Sequence, residues 1–255
     1  MNAASDGCAW VTGASSGIGR AVALRLARDG WTVAASARGE DALTELAAAA
    51  EATPGRIVPV LCDVADRQQV EKAVEGLVSD HGGVALAVLN AGLYLPDRAD
   101  ELDLDAFGKQ VNLNLMGTVG CVGALMPHWL ETGKGHLAVV SSVAGYRGLP
   151  GSLAYGATKA ALINFCEGLR FDFDRLGRKV QVVNPGFVKT PLTDKNNFPM
   201  PFLMDVDKAA DRLVDGLAGS GFEITFPRRF TYGLKLLRSL PYRLYFPLVA
   251  RATGK

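Results

Sequence analysis

Thr12-Gly13-Ala14-Ser15-Ser16-Gly17-Ile18-Gly19 is the stretch on which the reading of this chain turns. A short apolar run at 9–11 leads into it, and a helical pattern over 18–28 leads out. Three glycines let the backbone turn tightly and approach an anion with no Cβ in the way. A helix beginning there offers unpaired N–H groups and a partial positive charge. Strand, glycine turn and helix in this order predict a phosphate-binding turn built from Gly13, Ser15, Ser16, Gly17, Ile18 and Gly19. The Gly-x3-Gly-x-Gly spacing differs from the usual Gly-x-Gly-x2-Gly. No Gly-Lys-Ser/Thr follows, which excludes a Walker P-loop.

Outward from that turn, further short apolar runs at 32–35, 57–61, 85–89, 137–140 and 180–183 predict strands. Helical patterns at 41–50, 68–78, 104–130 and 154–176 separate them. The strands lack strict polar alternation, as expected where helices cover both faces of a sheet. Repeated βα units predict an α/β fold: a Rossmann-type, doubly wound parallel sheet with helices on both faces. One domain is expected across 1–255, with its core at about 7–225. Residues 190–206 and 226–255 hold half of the twelve prolines and break the rhythm, so they read as appendages of that domain.

Composition narrows the function classes. Of 255 residues, 49% are hydrophobic and 29 are glycine, which excludes a disordered chain. A net charge of +1 argues against a nucleic-acid partner. Cys8, Cys62, Cys121 and Cys166 show no CxxC or zinc spacing and read as buried free thiols in a reducing compartment. No leader pattern opens the chain, and no apolar run reaches the ~18 residues of a membrane span. A soluble, cytoplasmic protein is expected. His81, His128 and His136 have neither triad nor metal spacing, so no metal site is expected.

A proton-transfer pair is legible in the predicted helix at 154–176. Tyr155 and Lys159 are four residues apart and share a face. A free phenol titrates near 10, and a neighbouring ammonium would bring it down towards useful basicity. Such a tyrosine passes a proton to or from a substrate oxygen while hydride moves at the adjacent carbon. Ser142, thirteen residues upstream at the end of a strand, would hold that oxygen. Taken alone, Tyr-x3-Lys is common on ordinary helices. A serine hydrolase is disfavoured, because Ser142 has no Gly-x-Ser-x-Gly elbow.

The TGASSGIG string, with Asp63, Asn90-Ala91-Gly92 and Pro185-Gly186 after successive strands, resembles the short-chain dehydrogenase/reductase family over about residues 7–190. The resemblance implies that Asp63 bonds the adenine, and that Asn90 and Gly92 lie at the sheet edge beside the cofactor. It places Pro185, Gly186, Val188 and Thr190 at the nicotinamide end. It makes Ser142 the orienting hydroxyl, Tyr155 the acid/base, and Lys159 the residue that tunes the phenol and binds ribose. Asn114, in Asn114-Leu115-Met116-Gly117, would support a water relay; Asn112 lacks that spacing. The family also implies a homodimer or homotetramer through its two long helices, and a substrate lid at 190–206. There, seven apolar residues from Phe198 to Met204 suggest a greasy pocket, with a core or subunit contact as the alternative.

The second strand predicts the cofactor. NAD-selective proteins place a carboxylate at its end to take the ribose hydroxyls. Here the stretch is Ala35-Ser36-Ala37-Arg38. Ser36 and Arg38 suit a 2′-phosphate instead, so NADP(H) is expected over NAD(H). The expected activity is hydride transfer between NADP(H) and a carbonyl or secondary alcohol. The rival readings are a non-catalytic dinucleotide-binding regulator and a lipid-associated protein.

The lipid reading rests on the end of the chain. Glu223 is the last acidic residue, and seven basic ones follow, from Arg228 to Lys255. Residues 1–227 carry a net −6 and residues 228–255 a net +7. Leu234, Leu236, Leu237 and Leu240 predict an apolar stripe, followed by Tyr242, Tyr245 and Phe246 beside Arg243. Pro241 and Pro247 should divide the segment into two short surface pieces. These would either dock on the protein's own body or make peripheral contact with an anionic membrane.

Overall fold

A computed structural model of the chain describes residues 7–195 and 198–254. Seven strands form its sheet: β1 (Cys8–Thr12), β2 (Thr32–Ala37), β3 (Arg56–Leu61), β4 (Val84–Leu89), β5 (His136–Val140), β6 (Lys179–Pro185) and β7 (Glu223–Phe226). Their spatial order is β3-β2-β1-β4-β5-β6-β7, and every pairing is parallel. The order reverses between β1 and β4, which opens a crevice at the carboxyl ends of these strands. Strand period decides which residue faces which layer. Ala9 and Val11 enter one core cluster, while Cys8 and Trp10 enter the other. Both faces are thus apolar, as expected from the unalternating strand pattern. The edge strands β3 and β7 are the exceptions: both alternate exposure, and β3 tolerates Pro59, which has no N–H to donate.

Helices α1 (Gly17–Arg28), α2 (Glu40–Ala48), α3 (Arg67–His81), α6 (Leu153–Arg175) and α7 (Val206–Ala218) pack on the two faces. The single helix expected over 104–130 is α4 (Leu104–Gln110) and α5 (Gly117–Thr132), joined by a π-helical turn over Val111–Met116. That wider turn is where Asn114 sits. β7 has only four residues and is held by its parallel register with β6. α7 begins on an Asp205 cap and buries Ala209, Ala210, Leu213, Val214 and Leu217 at helical spacing.

The last segment forms α8 (Arg228–Arg238) and α9 (Tyr242–Thr253). Pro241 separates them as expected, but Pro247 lies inside α9. There it removes one N–H donor without ending the helix. The expected leucine stripe is split: Leu234 packs towards the core, whereas Leu236 is 71% exposed. Among the described residues no helix is long and apolar enough to cross a membrane. The four cysteines are free and buried, and no group of residues could hold a metal ion among those described.

Candidate active site

The carboxyl ends of β1, β2, β4, β5 and β6 surround a cavity of about 260 Å³. Its floor is the glycine turn. Gly13 has φ +65°, and a Cβ there would lie 2.7 Å from the Ala91 backbone. A Cβ on Gly19 would meet the Gly13 carbonyl at 2.3 Å. Asn90 donates through Nδ2 to the carbonyls of Thr12 and Gly13 at 3.2 Å each, tying the end of β4 to the turn. The Thr12 hydroxyl accepts the N–H groups of Asn90 (3.0 Å) and Ala91 (3.2 Å) from the other side. Helix α1 then starts at Gly17 with no side-chain cap from Ser16 and no acidic residue in its first turn. Its leading N–H groups face the cavity as an anion site.

Around this floor lie Gly13, Ser15, Ser16, Gly17 and Ile18, then Arg38 and Asp63, then Asn90 and Gly92. Pro185, Gly186, Val188 and Thr190 close the opposite end. One Asp63 carboxylate oxygen already accepts the Ala65 N–H at 3.0 Å. Ser36 departs from expectation. Successive residues of a strand point to opposite faces, so Ala37 lines the cavity while the Ser36 side chain enters the core. There its hydroxyl accepts the Trp10 indole N–H at 2.8 Å. Only its carbonyl touches the turn, accepting the Ala14 N–H at 3.0 Å. In this arrangement the Ser36 side chain does not line the cavity.

At the far end, Ser142, Tyr155 and Lys159 line the same cavity. Ser142 follows β5, and its hydroxyl accepts the Ala144 N–H at 3.1 Å. Ser141 is committed elsewhere, donating to the Lys159 carbonyl at 2.8 Å. Asp97 accepts the N–H groups of Leu153 and Ala154 at 2.6 Å each, pinning the start of α6 and with it the tyrosine and lysine. Tyr94 packs edge-on against Tyr155 with ring centroids 5.2 Å apart. Lys159 is buried, donates to the Val140 carbonyl at 2.8 Å, and lies 5.6 Å from the Tyr155 ring centroid.

Desolvation dominates the electrostatics. Burial pushes the Tyr155 phenol up to about 12, opposed by a hydrogen bond from Ser142. Burial brings Lys159 down to about 8. Loss of water moves both groups, and Lys159 is not among the causes acting on the phenol, where Tyr94 adds a further upward push.

Asn114 is fully buried. Its Oδ1 accepts the Leu93 N–H at 2.7 Å, and its Nδ2 donates to the Leu93 carbonyl at 2.9 Å and to Thr158 Oγ1 at 3.2 Å. Gln110, one helical turn earlier, treats Leu95 in the same way at 3.0 and 3.2 Å. The two amides replace a neighbouring strand for 93–95. A Cβ on Gly92 would stand 3.6 Å from both Asn114 Oδ1 and Lys159 Nζ, so the asparagine and the lysine both border Gly92. Asn112 is exposed. Sequence reasoning missed Tyr94, Asp97 and Gln110; only Gln110, at i−4 from Asn114, carried any spacing signal.

Near the two ends of the expected lid, Val188 and Met204 form an isolated parallel bridge: Lys189 N–H donates to the Met204 carbonyl and Met204 N–H to the Phe187 carbonyl, each at 2.9 Å. Asn196 and Asn197, within the expected lid, lie outside the described residues. Phe198 packs on Phe187 at 5.9 Å, and Phe230 of α8 packs on Phe187 at 5.5 Å and on Phe202 at 5.9 Å.

The cavity fits a dinucleotide on its own geometry: a cradle that a Cβ would fill, an uncapped helix start, and donors at both ends. A parallel sheet with this crevice and this set of polar groups is an oxidoreductase architecture of the Rossmann type. Residues 7–200 match the family model described as short chain dehydrogenase, and the chain belongs to the short-chain dehydrogenase/reductase family. It is 38% identical over 237 residues to an uncharacterized oxidoreductase of Myxococcus xanthus, covering 93% of this chain and 94% of the relative. It is 36% identical over 188 residues to a 3-oxoacyl-(acyl-carrier-protein) reductase of Thermotoga maritima, covering 72% and 75%. Among solved structures it resembles a variant of actinorhodin polyketide ketoreductase with NADPH, at TM-score 0.80 and 26% identity, covering 89% and 97%.

Proposed function

We propose that this oxidoreductase transfers hydride between NADP(H) and a carbonyl or secondary alcohol on an apolar substrate, with Tyr155 as the acid/base. The observation that carries this reading is the convergence of Ser142, Tyr155 and Lys159 on the glycine-turn cavity. The nicotinamide, when bound, supplies the hydride to the carbonyl carbon. Ser142 orients the carbonyl oxygen through its hydroxyl. Tyr155 donates its phenolic proton to that oxygen as negative charge develops there. Lys159, buried beside the ring, stabilises the resulting phenolate and faces the ribose, and Asn114 keeps the lysine end of the cleft in register. Gly13, Ser15, Ser16, Gly17, Ile18 and Gly19 would hold the pyrophosphate, and Arg38 the 2′-phosphate. Asp63 would hold the adenine, Asn90 and Gly92 the sheet edge beside it, and Pro185, Gly186, Val188 and Thr190 the nicotinamide.

In this reading residues 1–255 act as one cytoplasmic domain, 190–206 is the substrate lid, and α5 and α6 pair two or four copies. Exposed Phe171 on α6 supports that pairing. The names of the Thermotoga relative and of the ketoreductase support ketone reduction. The test is NADPH oxidation against 3-oxoacyl thioesters and alkyl ketones. Turnover that disappears in Tyr155→Phe supports the assignment. NADPH binding with no turnover across the panel would favour a regulatory dinucleotide-binding protein.

A further inference from the structure

Helices α8 and α9 are fixed to the body by their inner faces. Lys235 pairs with Glu223, which also accepts from the Tyr146 hydroxyl. Arg147 donates to the carbonyls of Arg238 at 2.8 Å and Leu240 at 2.6 Å, and its guanidinium lies 4.0 Å from the Tyr245 ring centroid. The Tyr245 hydroxyl donates to the Gly148 carbonyl at 2.8 Å. Thr231, Tyr245 and Val249 are buried.

With these contacts made, the outer faces are decided. Tyr232 and Leu236 on α8, and Tyr242, Leu244, Phe246 and Leu248 on α9, are between 51% and 71% exposed. They form the i, i+4 pairs Tyr232–Leu236, Tyr242–Phe246 and Leu244–Leu248, and on α9 the two pairs lie on opposite flanks of an outermost strip that carries Arg243 and Arg251. Around them Arg228, Arg229, Arg238, Arg243 and Arg251 are exposed, and no acidic residue follows Glu223. The lid belongs to the same side of the molecule, because Phe202, 58% exposed, packs on Phe230 of α8.

Such a face needs an occupant that is apolar within and anionic at its rim. A second copy meeting it across a two-fold axis would bring two sets of arginines together, and residues 228–255 hold no carboxylate to pair with them. A bilayer bearing anionic headgroups answers both features: leucines and aromatics enter the interface while arginines reach phosphates.

We propose that the outer faces of α8 and α9, with the neighbouring lid tip, dock this protein peripherally on an anionic phospholipid surface. The docking rests on the proposed reductase activity only in its consequence, that the lid then opens towards apolar substrate dissolved in the bilayer.

The full chain is sedimented with vesicles of phosphatidylcholine alone and of phosphatidylcholine with about one third phosphatidylglycerol. Sedimentation with the anionic vesicles at low salt, at least about tenfold stronger than with the neutral ones and reversed by high salt, is expected. Leu244→Ser with Phe246→Ser, and Arg243→Glu with Arg251→Glu, should each lower the bound fraction by roughly tenfold or more. Both double variants should retain the wild-type circular dichroism and turnover of a small soluble carbonyl. No binding to anionic vesicles at low salt, or equal binding to neutral ones, would overturn the proposal while leaving the reductase reading intact. So would a dimer, seen by sedimentation velocity, that Leu244→Ser with Phe246→Ser dissolves in a protein indifferent to vesicles.

Discussion

The indole of Trp10 donates to the hydroxyl of Ser36 across the β1–β2 pair at 2.8 Å, with both side chains fully buried. The contact takes Ser36 out of the cofactor cleft and leaves Arg38 as the side chain at the end of β2 that can reach a 2′-phosphate. Arg38→Ala should therefore weaken NADPH by roughly ten- to a hundredfold, as loss of a charge-assisted contact worth ~1.5–3 kcal/mol, with NADH little changed. Equal losses for both nucleotides in fluorescence titrations would remove Arg38 from phosphate recognition.

Ser36→Ala should behave differently. It orphans a buried indole N–H, and denaturant unfolding should show a loss of about 1–3 kcal/mol. The ratio of NADPH to NADH affinity should stay at the wild-type value. A shifted ratio would mean that the hydroxyl leaves Trp10 when nucleotide binds.

Tyr155→Phe should remove most turnover, on the order of a thousandfold in kcat, while cofactor affinity is preserved, since only the transferable proton is lost. Lys159→Ala should damage both, because the proposed role of the lysine involves the ribose as well as the phenol. A Tyr155→Phe enzyme with near-normal kcat on its best substrate would reject the proton-transfer assignment.

Asn114→Ala should lower stability as well as activity. It strips the Leu93 N–H and carbonyl of their partners, and each buried orphan costs about 1–3 kcal/mol. Asn112→Ala, at an exposed position, should change the melting temperature little. If the two variants melted alike, the pinning of 93–95 by the π-helical turn would be unimportant.

His136 should make the fold acid-sensitive. It is buried in β5, bonded to Gln181 through Nε2 at 2.8 Å, and its Nδ1 has no partner. Burial, helped by the nearby Lys179, brings it from 6.5 down to about 4. Between these values the unfolded chain binds a proton that the native state does not, so stability falls as pH drops from 6.5 towards 4. The loss is about 3 kcal/mol at its limit. His136→Gln, although less stable at neutral pH, should show a correspondingly shallower slope in urea unfolding across that window. Parallel slopes would assign the acid sensitivity to carboxylates.

Six of the seven strands, the glycine turn and the candidates Ser142, Tyr155 and Lys159 were legible in the chain, because each rests on a local regularity. Apolar runs of strand length, glycines at a tight turn and i, i+4 spacing are dictated by backbone geometry within a few residues. What local regularity cannot express is which face a side chain shares with residues far along the chain. Ser36 has phosphate-binding chemistry, and only its pairing with Trp10, 26 residues away, shows that it faces the core. Asp97 caps a helix 56 residues further on, and Gln110 serves as a strand partner for Leu95; neither position is unusual in sequence. β7 is too short to announce itself and exists because β6 offers it a register. The phenol shows the same division. Spacing alone sets Lys159 beside Tyr155, but the water excluded from both is a property of the folded interior, and it sends their proton affinities in opposite directions.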